Sequence, residues 1–131
     1  MLLQKPELVC PAGGLPALKA AVDAGADAVY VGLRNSTNAR NFAGLNFDEK
    51  TLRQAVDYAH VKGKRVLAAI NTYPQAGRES EWHHTVDVAA SAGVDALIMA
   101  DISLLAYAKD RHPNTARHLS VQGSATNYEA I

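Results

Sequence analysis

Short apolar runs recur along the chain, separated by longer segments in which apolar residues repeat at helical spacing. The runs are rich in Val, Ile and Ala, and they cover residues 8–10, 28–32, 66–71, 96–101 and 119–122. Near-continuous apolar character is typical of parallel strands that are covered on both faces. The pattern therefore predicts five parallel strands.

Four segments between these runs carry one apolar stripe each, which is the pattern of an amphipathic helix. The stripes are Leu18, Ala21 and Val22; Leu52, Ala55, Val56 and Ala59; Trp82, Val86, Ala89 and Ala90; and Leu104, Tyr107 and Ala108. Residues that start or stop helices flank them, namely Pro16, Asp48 and Ser103 at the starts and Gly25, Gly63 and Gly93 after the ends. Alternating strands and helices predict the α/β class with right-handed crossovers.

Two architectures fit this element order, a flavodoxin-like doubly wound sheet and part of a TIM-type barrel. Segments 24–32 and 92–100 are near-copies, which indicates an internal β/α repeat. Thr126 and Glu129 form a capping-box pattern that predicts the start of a fifth helix. An open sheet would keep that helix whole, whereas a (β/α)₈ barrel takes roughly 250 residues. We therefore predict that residues 1–131 are the N-terminal half-barrel of a larger protein, with five strands and four helices.

Polar residues follow the predicted strands, at the edge where ligands bind in parallel β/α folds. The densest group is segment 31–47, VGLRNSTNARNFAGLNF, which has four Asn, two Arg and no acid. Guanidinium and amide groups suit a carboxylate or phosphate. The predicted ligand-binding residues are Asn38, Arg40, Asn71, Gln122 and Asn127, with Arg40 as the anion clamp. The alternative is that the Asn side chains form Asx-turns and the Arg side chains are solvated.

Asp101 is the predicted catalytic residue, because a carboxylate at a strand end can act as a base or hold a substrate hydroxyl. The alternative is that it caps the helix that begins near Ser103. Gly13 and Gly14 could offer N–H groups to an anion or could serve a tight turn. Cys10 could be a thiol that faces the ligand or a small buried hydrophobe.

No metal site is predicted within the chain. His83 and Asp87 share a helix face, but that face is the solvent side of a barrel helix. A single cysteine cannot form a structural zinc site or hold an iron–sulfur cluster.

The charges balance, with 13 basic and 13 acidic residues, so the sequence gives no strong nucleic-acid signal. It has no apolar stretch long enough to span a membrane and no signal peptide, which predicts a cytoplasmic location.

Six segments carry a resemblance to a known family. ELVCPAG, GADAVYVGL, NARNFAGLNF, AINTY, DALIMAD and SVQGSATN occur in this order and together resemble the N-terminal half-barrel of the collagenase-like peptidase U-32 family. Within it, TNARNFAGLNF and SVQGSATN are most similar to the branch that acts in oxygen-independent ubiquinone biosynthesis. That branch is expected to carry Ala where Gly123 stands.

The resemblance implies that the full-length protein hydroxylates a ubiquinone precursor without dioxygen, with prephenate as the oxygen source. It further implies a 4Fe–4S cluster whose cysteine ligands lie beyond this chain, and a homologous UbiV-like partner subunit. The alternatives are a U-32 peptidase, or a hydroxylation or assembly module for RNA. For the leading hypothesis, the ubiquinone-precursor hydroxylase, the expected ligand is a small carboxylated or aromatic molecule. The isolated half-barrel is expected to self-associate, because it exposes a strand edge and apolar faces.

Overall fold

A computed structural model describes residues 3–130, and in them strands and helices alternate as predicted. The strands are β1 (Val9–Pro11), β2 (Ala28–Gly32), β3 (Arg65–Ile70), β4 (Ala96–Met99) and β5 (Ala116–Leu119). The helices are α1 (Leu15–Asp23), α2 (Glu49–Val61), α3 (Glu79–Ser91) and α4 (Ile102–Arg111), and two 3₁₀ turns follow at Val121–Gly123 and Tyr128–Ala130. The predicted α/β class, with five strands and four helices, is confirmed.

The strands form one parallel sheet in chain order, β1-β2-β3-β4-β5. In a doubly wound sheet the spatial order of the strands reverses partway along the chain. The sequential order seen here therefore excludes that alternative. Right-handed crossovers that always move in the same direction place every helix on one side of the sheet, as in a (β/α)₈ barrel. The sheet is therefore built like part of a barrel wall.

Alternate residues of each strand face opposite sides of this sheet. On the helix side, Val29, Val66 and Leu97 belong to the main core and are fully buried beneath the helices. The opposite side, which would face the interior of a barrel, is called the lumen side. Its small cluster consists of Ala28, Leu67 and Ala96, with Tyr30 and Ile98 packed against it. The main core thus lies between the sheet and the helices.

The helices begin and end largely where the sequence predicts. Asp48 caps α2 and forms a capping box with Thr51, in which the Asp48 carboxylate accepts the Thr51 N–H at 2.7 Å. Gly25, Gly63 and Gly93 follow α1, α2 and α3 with positive φ angles of 103°, 69° and 88°. The left-handed conformation at these helix exits favours glycine.

The prediction for Ser103 is wrong in one respect. The N-cap of α4 is Asp101, and the Ser103 hydroxyl donates to the Asp101 carboxylate.

The largest error concerns β5. The predicted strand at 119–122 lies too late in the chain, since β5 ends at Leu119 and a 3₁₀ turn follows. Ser120 begins this turn, because its hydroxyl oxygen accepts the Gln122 N–H at 3.2 Å. The strand itself carries Arg117 and His118, so its apolar pattern is weak. The prediction for β2 is confirmed at both ends, and β1, β3 and β4 differ from prediction by one or two residues at an end.

The predicted capping box of Thr126 and Glu129 is also wrong within the described residues. The Asn127 side-chain oxygen accepts the Ala130 N–H at 3.0 Å, and the segment forms a 3₁₀ turn at Tyr128–Ala130. Asn127 therefore takes the capping role that the sequence pattern gave to Thr126. The continuation of the predicted fifth helix at Ile131 lies outside the described residues.

Candidate functional site

A cavity of about 510 Å³ opens at the carboxyl end of the strands. Its wall includes residues 11–13 after β1 and residues 120–122 after β5, which are the two edge strands of the sheet. In a flat sheet these edges would lie roughly 19 Å apart at the usual strand spacing of about 4.8 Å. Because both edges contact the same cavity, the sheet must curve like a barrel wall. This curvature brings the carboxyl ends of the strands close together.

Segment 33–47, here called the Asn loop, forms one side of this cavity. Asn38 is buried above Gly32, where an added Cβ would lie 2.0 Å from the Asn38 side-chain nitrogen. Its side chain donates to the Asn46 side-chain oxygen at 3.4 Å and accepts the Arg40 N–H at 3.2 Å. Asn46 in turn donates its N–H to the Gly13 carbonyl at 2.6 Å and its side-chain NH₂ to the Arg40 carbonyl at 2.9 Å. Asn38 and Asn46 therefore hold the loop together, as the Asx-turn alternative describes.

Contacts with β3 and α3 fix the Asn loop from outside. The Asn35 side chain donates to the Thr85 hydroxyl of α3 at 3.1 Å. Trp82 donates its indole N–H to the Thr72 hydroxyl at 3.1 Å, and that hydroxyl donates to the Ser36 carbonyl at 2.7 Å. Thr85 is buried although the apolar stripe of α3 did not include it. The loop is thus a packed part of the fold.

Arg34 and Arg40 have different roles. Arg34 donates to the carbonyls of Leu45 and Asn46, each at 3.2 Å, and so braces the loop. Arg40 is exposed and lines the cavity, and its guanidinium makes no hydrogen bond or ion pair with residues 3–130. Arg40 is therefore the cavity cation that is free to bind an anion.

Four of the predicted ligand-binding residues, Asn38, Arg40, Asn71 and Gln122, line this one cavity. The Asn71 side-chain oxygen accepts the Ala39 N–H at 2.9 Å, which leaves its NH₂ group for a ligand. The side-chain amide of Gln122 has no protein partner in the described part of the chain, while its backbone carbonyl accepts the Tyr73 hydroxyl at 2.6 Å. These side chains support the prediction that the carboxyl ends of the strands share a site.

The other two predicted site residues lie outside the cavity wall. Asn127 caps the turn near the end of the chain. Asp101 is on the same edge of the sheet, but its carboxylate accepts the Leu104 N–H at 2.8 Å and the Ser103 hydroxyl. The geometry of Asp101 fits the capping alternative, and its catalytic role stays a prediction.

The sequence analysis missed several cavity residues, among them Tyr30, Phe42, Leu45 and Ile98. The alternation in AVYVG contained a signal for Tyr30. Val29 and Val31 share one face, so Tyr30 must lie on the other face with Ala28 and Gly32. Phe42 and Leu45 gave no signal, because apolar residues in a loop have no periodic pattern.

Cys10, His83 and His112 contact protein groups outside the cavity. Cys10 packs against the helix-side core, which fits the buried-hydrophobe alternative. His83 stacks on Tyr107 with ring centroids 4.0 Å apart, and Asp87 accepts from His112 at 2.6 Å and from Tyr107 at 2.9 Å. Within residues 3–130, no group of three or more His, Cys, Asp or Glu side chains could hold a metal ion. None of the described helices has the length and apolar character needed to cross a bilayer.

Comparison with known proteins identifies the family of this half-barrel. Residues 13–131 match the family model described as Peptidase family U32. The chain belongs to the peptidase U32 family. This confirms the family-level resemblance that the six sequence segments indicated.

Curated relatives in this family carry the name tRNA hydroxylation protein P. The Helicobacter pylori protein (strain ATCC 700392 / 26695) is 37% identical over 121 residues, which cover 92% of this chain and 28% of that protein. The Escherichia coli K12 protein is 34% identical over 128 residues, covering 97% of this chain and 28% of the relative. The chain thus spans less than a third of the length of these relatives.

A solved structure, that of the U32 peptidase Mk0906, has the same fold. It aligns with 99% of this chain and 56% of its own chain at a TM-score of 0.71 and 16% sequence identity. At that identity the likeness concerns the fold alone.

Proposed function

We propose that this chain is the ligand-binding N-terminal part of a U32-family protein that hydroxylates the ring of a ubiquinone precursor without dioxygen. The cavity is the main support, because it combines apolar walls with one unpaired guanidinium, a combination suited to a small ring compound with a carboxylate. The names of the relatives support a role in hydroxylation. The similarity of TNARNFAGLNF and SVQGSATN to the ubiquinone branch supports the choice of acceptor.

The side chains of the cavity would bind different parts of the ligand. The Arg40 guanidinium binds the carboxylate of a ligand such as prephenate. Phe42, Leu45 and Ile98 cover the ring and exclude water from it. The free amide groups of Asn71 and Gln122 hydrogen bond the remaining oxygens.

The proposed 4Fe–4S cluster does not fit the residues of this chain. The one cysteine, Cys10, packs on the helix side of the sheet, away from the cavity. We therefore assign the cluster ligands to other parts of the full-length protein and derive no step through the cluster. A homologous UbiV-like subunit is the proposed partner.

A second candidate is the hydroxylation of tRNA, which the names of the relatives favour. Binding to tRNA needs basic side chains that are free to neutralise phosphates. Several exposed basic side chains of this chain are instead paired with acids, namely Arg53 with Glu49, Lys62 with Asp23, Arg65 with Glu7 and Arg78 with Glu81. The pairing reduces the number of cations available to phosphates, and the small cavity with apolar walls favours a ring compound as the acceptor.

Peptidase activity has less support in the cavity. Its described lining contains Ser120 but no His, Asp, Glu or Cys that could activate a nucleophile or bind a metal. The Ser120 hydroxyl oxygen already accepts the Gln122 N–H.

Deletion of the gene for the full-length protein separates the two hydroxylation candidates. Cells grown without oxygen are expected to lose ubiquinone and to regain it when the gene is restored, as measured by mass spectrometry of the quinone pool. Hydroxylated tRNA nucleosides are measured in the same cultures. Restored nucleosides with unchanged quinone would support the second candidate and contradict the first, and restoration of neither would reject both.

Arg40→Ala tests the anion clamp directly. In the full-length protein, it is expected to weaken prephenate binding about tenfold or more, because a charge-assisted contact is lost. Isothermal titration calorimetry measures the affinity, and circular dichroism checks the fold. Arg53→Ala is the matched control, since Arg53 lies on α2 and pairs with Glu49 outside the cavity. Unchanged binding by Arg40→Ala would remove the clamp from the proposal.

A further inference from the structure

The Tyr30 hydroxyl, on the lumen side of the sheet, has no role in the proposed function so far. We propose that the Tyr30 hydroxyl binds an oxygen on the ring of the ligand, at the end opposite the carboxylate held by Arg40. The site would then favour ring carboxylates that carry a ring oxygen over those that lack one. This inference rests on the proposed function, because it takes Arg40 as the carboxylate anchor.

The register of the strands shows how deep Tyr30 lies within the cavity. The last lumen-side row of the sheet pairs Gly32 with Ala69 and Ala69 with Ile98. The row beneath it pairs Tyr30 with Leu67. The small residues Gly32 and Ala69 and the deeper Tyr30 all line the cavity, and the Asn38 side chain lies over Gly32.

The two anchors lie at different depths. Arg40 is exposed on the Asn loop at the rim, whereas Tyr30 lies two residues before the end of β2. Two strand residues span roughly 6–7 Å. Because both residues line the one cavity, a ligand held at the rim by Arg40 extends towards the deeper Tyr30.

Among the described residues, the hydroxyls of Tyr30 and Tyr128 have no protein hydrogen-bond partner, but Tyr128 is 85% exposed whereas Tyr30 lines the cavity. The hydroxyls of Tyr58, Tyr73 and Tyr107 donate to protein oxygens at 2.6, 2.6 and 2.9 Å. The ring of Tyr30 is half-buried against the lumen-side cluster, yet its hydroxyl has no protein hydrogen-bond partner in the described part of the chain. A phenol in a mostly apolar wall normally finds a partner for its O–H group. A ligand oxygen would supply that partner.

Two probes that differ by one hydroxyl test the assignment. The full-length protein is titrated with 4-hydroxybenzoate and with benzoate, and the ratio of the two affinities is measured for the native protein and for Tyr30→Phe. The native protein is expected to bind 4-hydroxybenzoate about five- to tenfold more tightly, the range for one hydrogen bond. Tyr30→Phe keeps the ring and is expected to bring the ratio close to one, while Tyr58→Phe is the matched control that leaves it unchanged.

Each result separates this inference from the proposed function. Binding of both probes with the same ratio in the native protein and in Tyr30→Phe would overturn the role of Tyr30 and leave the Arg40 clamp standing. A native protein that does not discriminate between the probes would overturn it equally. If neither probe binds, the proposed carboxylate site fails, and the inference fails with it. Thermal unfolding of each variant confirms that the compared proteins are folded.

Discussion

The two sides of the sheet are made by the same strands but differ in the size and the packing of their side chains. On the helix side, Val29, Val66 and Leu97 are branched, fully buried and enclosed by the helices. On the lumen side, Gly32, Ala69 and the half-buried Tyr30 line the cavity, and the Tyr30 hydroxyl has no hydrogen-bond partner among residues 3–130. Residues that pack against the helices therefore alternate with residues that face the cavity along β2 and β3. The effect of a substitution is expected to depend on which side its side chain faces.

The largest effect is expected from a cavity on the helix side. Leu97→Ala in the full-length protein should lower the free energy of unfolding by about 2–5 kcal/mol, because Leu97 is fully buried in the main core. Urea unfolding measures the loss. Ile102→Ala is the control, since Ile102 is 81% exposed and its loss should stay within about 0.5 kcal/mol. Equal losses for both variants would contradict the assignment of Leu97 to the core.

The next effect comes from filling space on the lumen side. Gly32→Ala would place a Cβ 2.0 Å from the Asn38 side-chain nitrogen, so the Asn loop must move. Overpacking of this kind should cost about 1–3 kcal/mol of folding free energy. The same substitution made together with Asn38→Ala should cost less, because the clashing side chain is gone. Additive losses in urea unfolding would show that Asn38 is not the obstacle.

A smaller effect concerns a charged contact on the outer helices. Burial alone would raise the pKa of Asp87, but hydrogen bonds from His112 and Tyr107 outweigh it and hold that pKa below the ordinary value. The stabilisation from Asp87 is therefore present above about pH 4 and is lost as the pH falls through the lowered pKa. Asp87→Asn should be less stable than the native protein at pH 7, with a difference that shrinks at pH 3.

Urea unfolding at both pH values measures this dependence. Asp110→Asn is the matched control, because the exposed Asp110 carboxylate makes no hydrogen bond within residues 3–130. A difference for Asp87→Asn that stays constant with pH would show that the carboxylate charge has no part in the contact.

The smallest effect is expected at Gly123, where the related branch is expected to carry Ala. An added Cβ would lie 2.7 Å from a terminal methyl carbon of Leu119. Leu119 is half-buried and can shift, so Gly123→Ala should change the unfolding free energy by less than about 1 kcal/mol. Thermal unfolding measures the change. A loss as large as that of Leu97→Ala would show that Leu119 cannot move.

Much of the fold could be predicted from the sequence, because the helix-side residues are continuous in apolar character and the helices carry clear stripes. The prediction failed at β5, where Arg117 and His118 interrupt the apolar run. That strand lies at the edge of the sheet and has fewer neighbours to cover it. An apolar pattern identifies strands that are enclosed on both faces, and β5 is not one of them.

The candidate site could be predicted only in outline. Parallel strands allowed the correct edge to be named, and Asn38, Arg40, Asn71 and Gln122 do meet there. The sequence could not show which amides serve the loop and which are free, because that depends on hydrogen bonds between residues far apart in the chain. It also placed too little weight on Tyr30, whose polar atom stands in an apolar strand.

The bracing of the Asn loop by Arg34 and Asn46 has a consequence for recognition. The loop takes up its final shape when the protein folds, and it is held there by its own contacts before a ligand arrives. Little chain entropy is then lost on association, so a compact ligand with few contacts can still bind with useful affinity. Such a preorganised wall favours rigid molecules of fixed shape over long flexible ones.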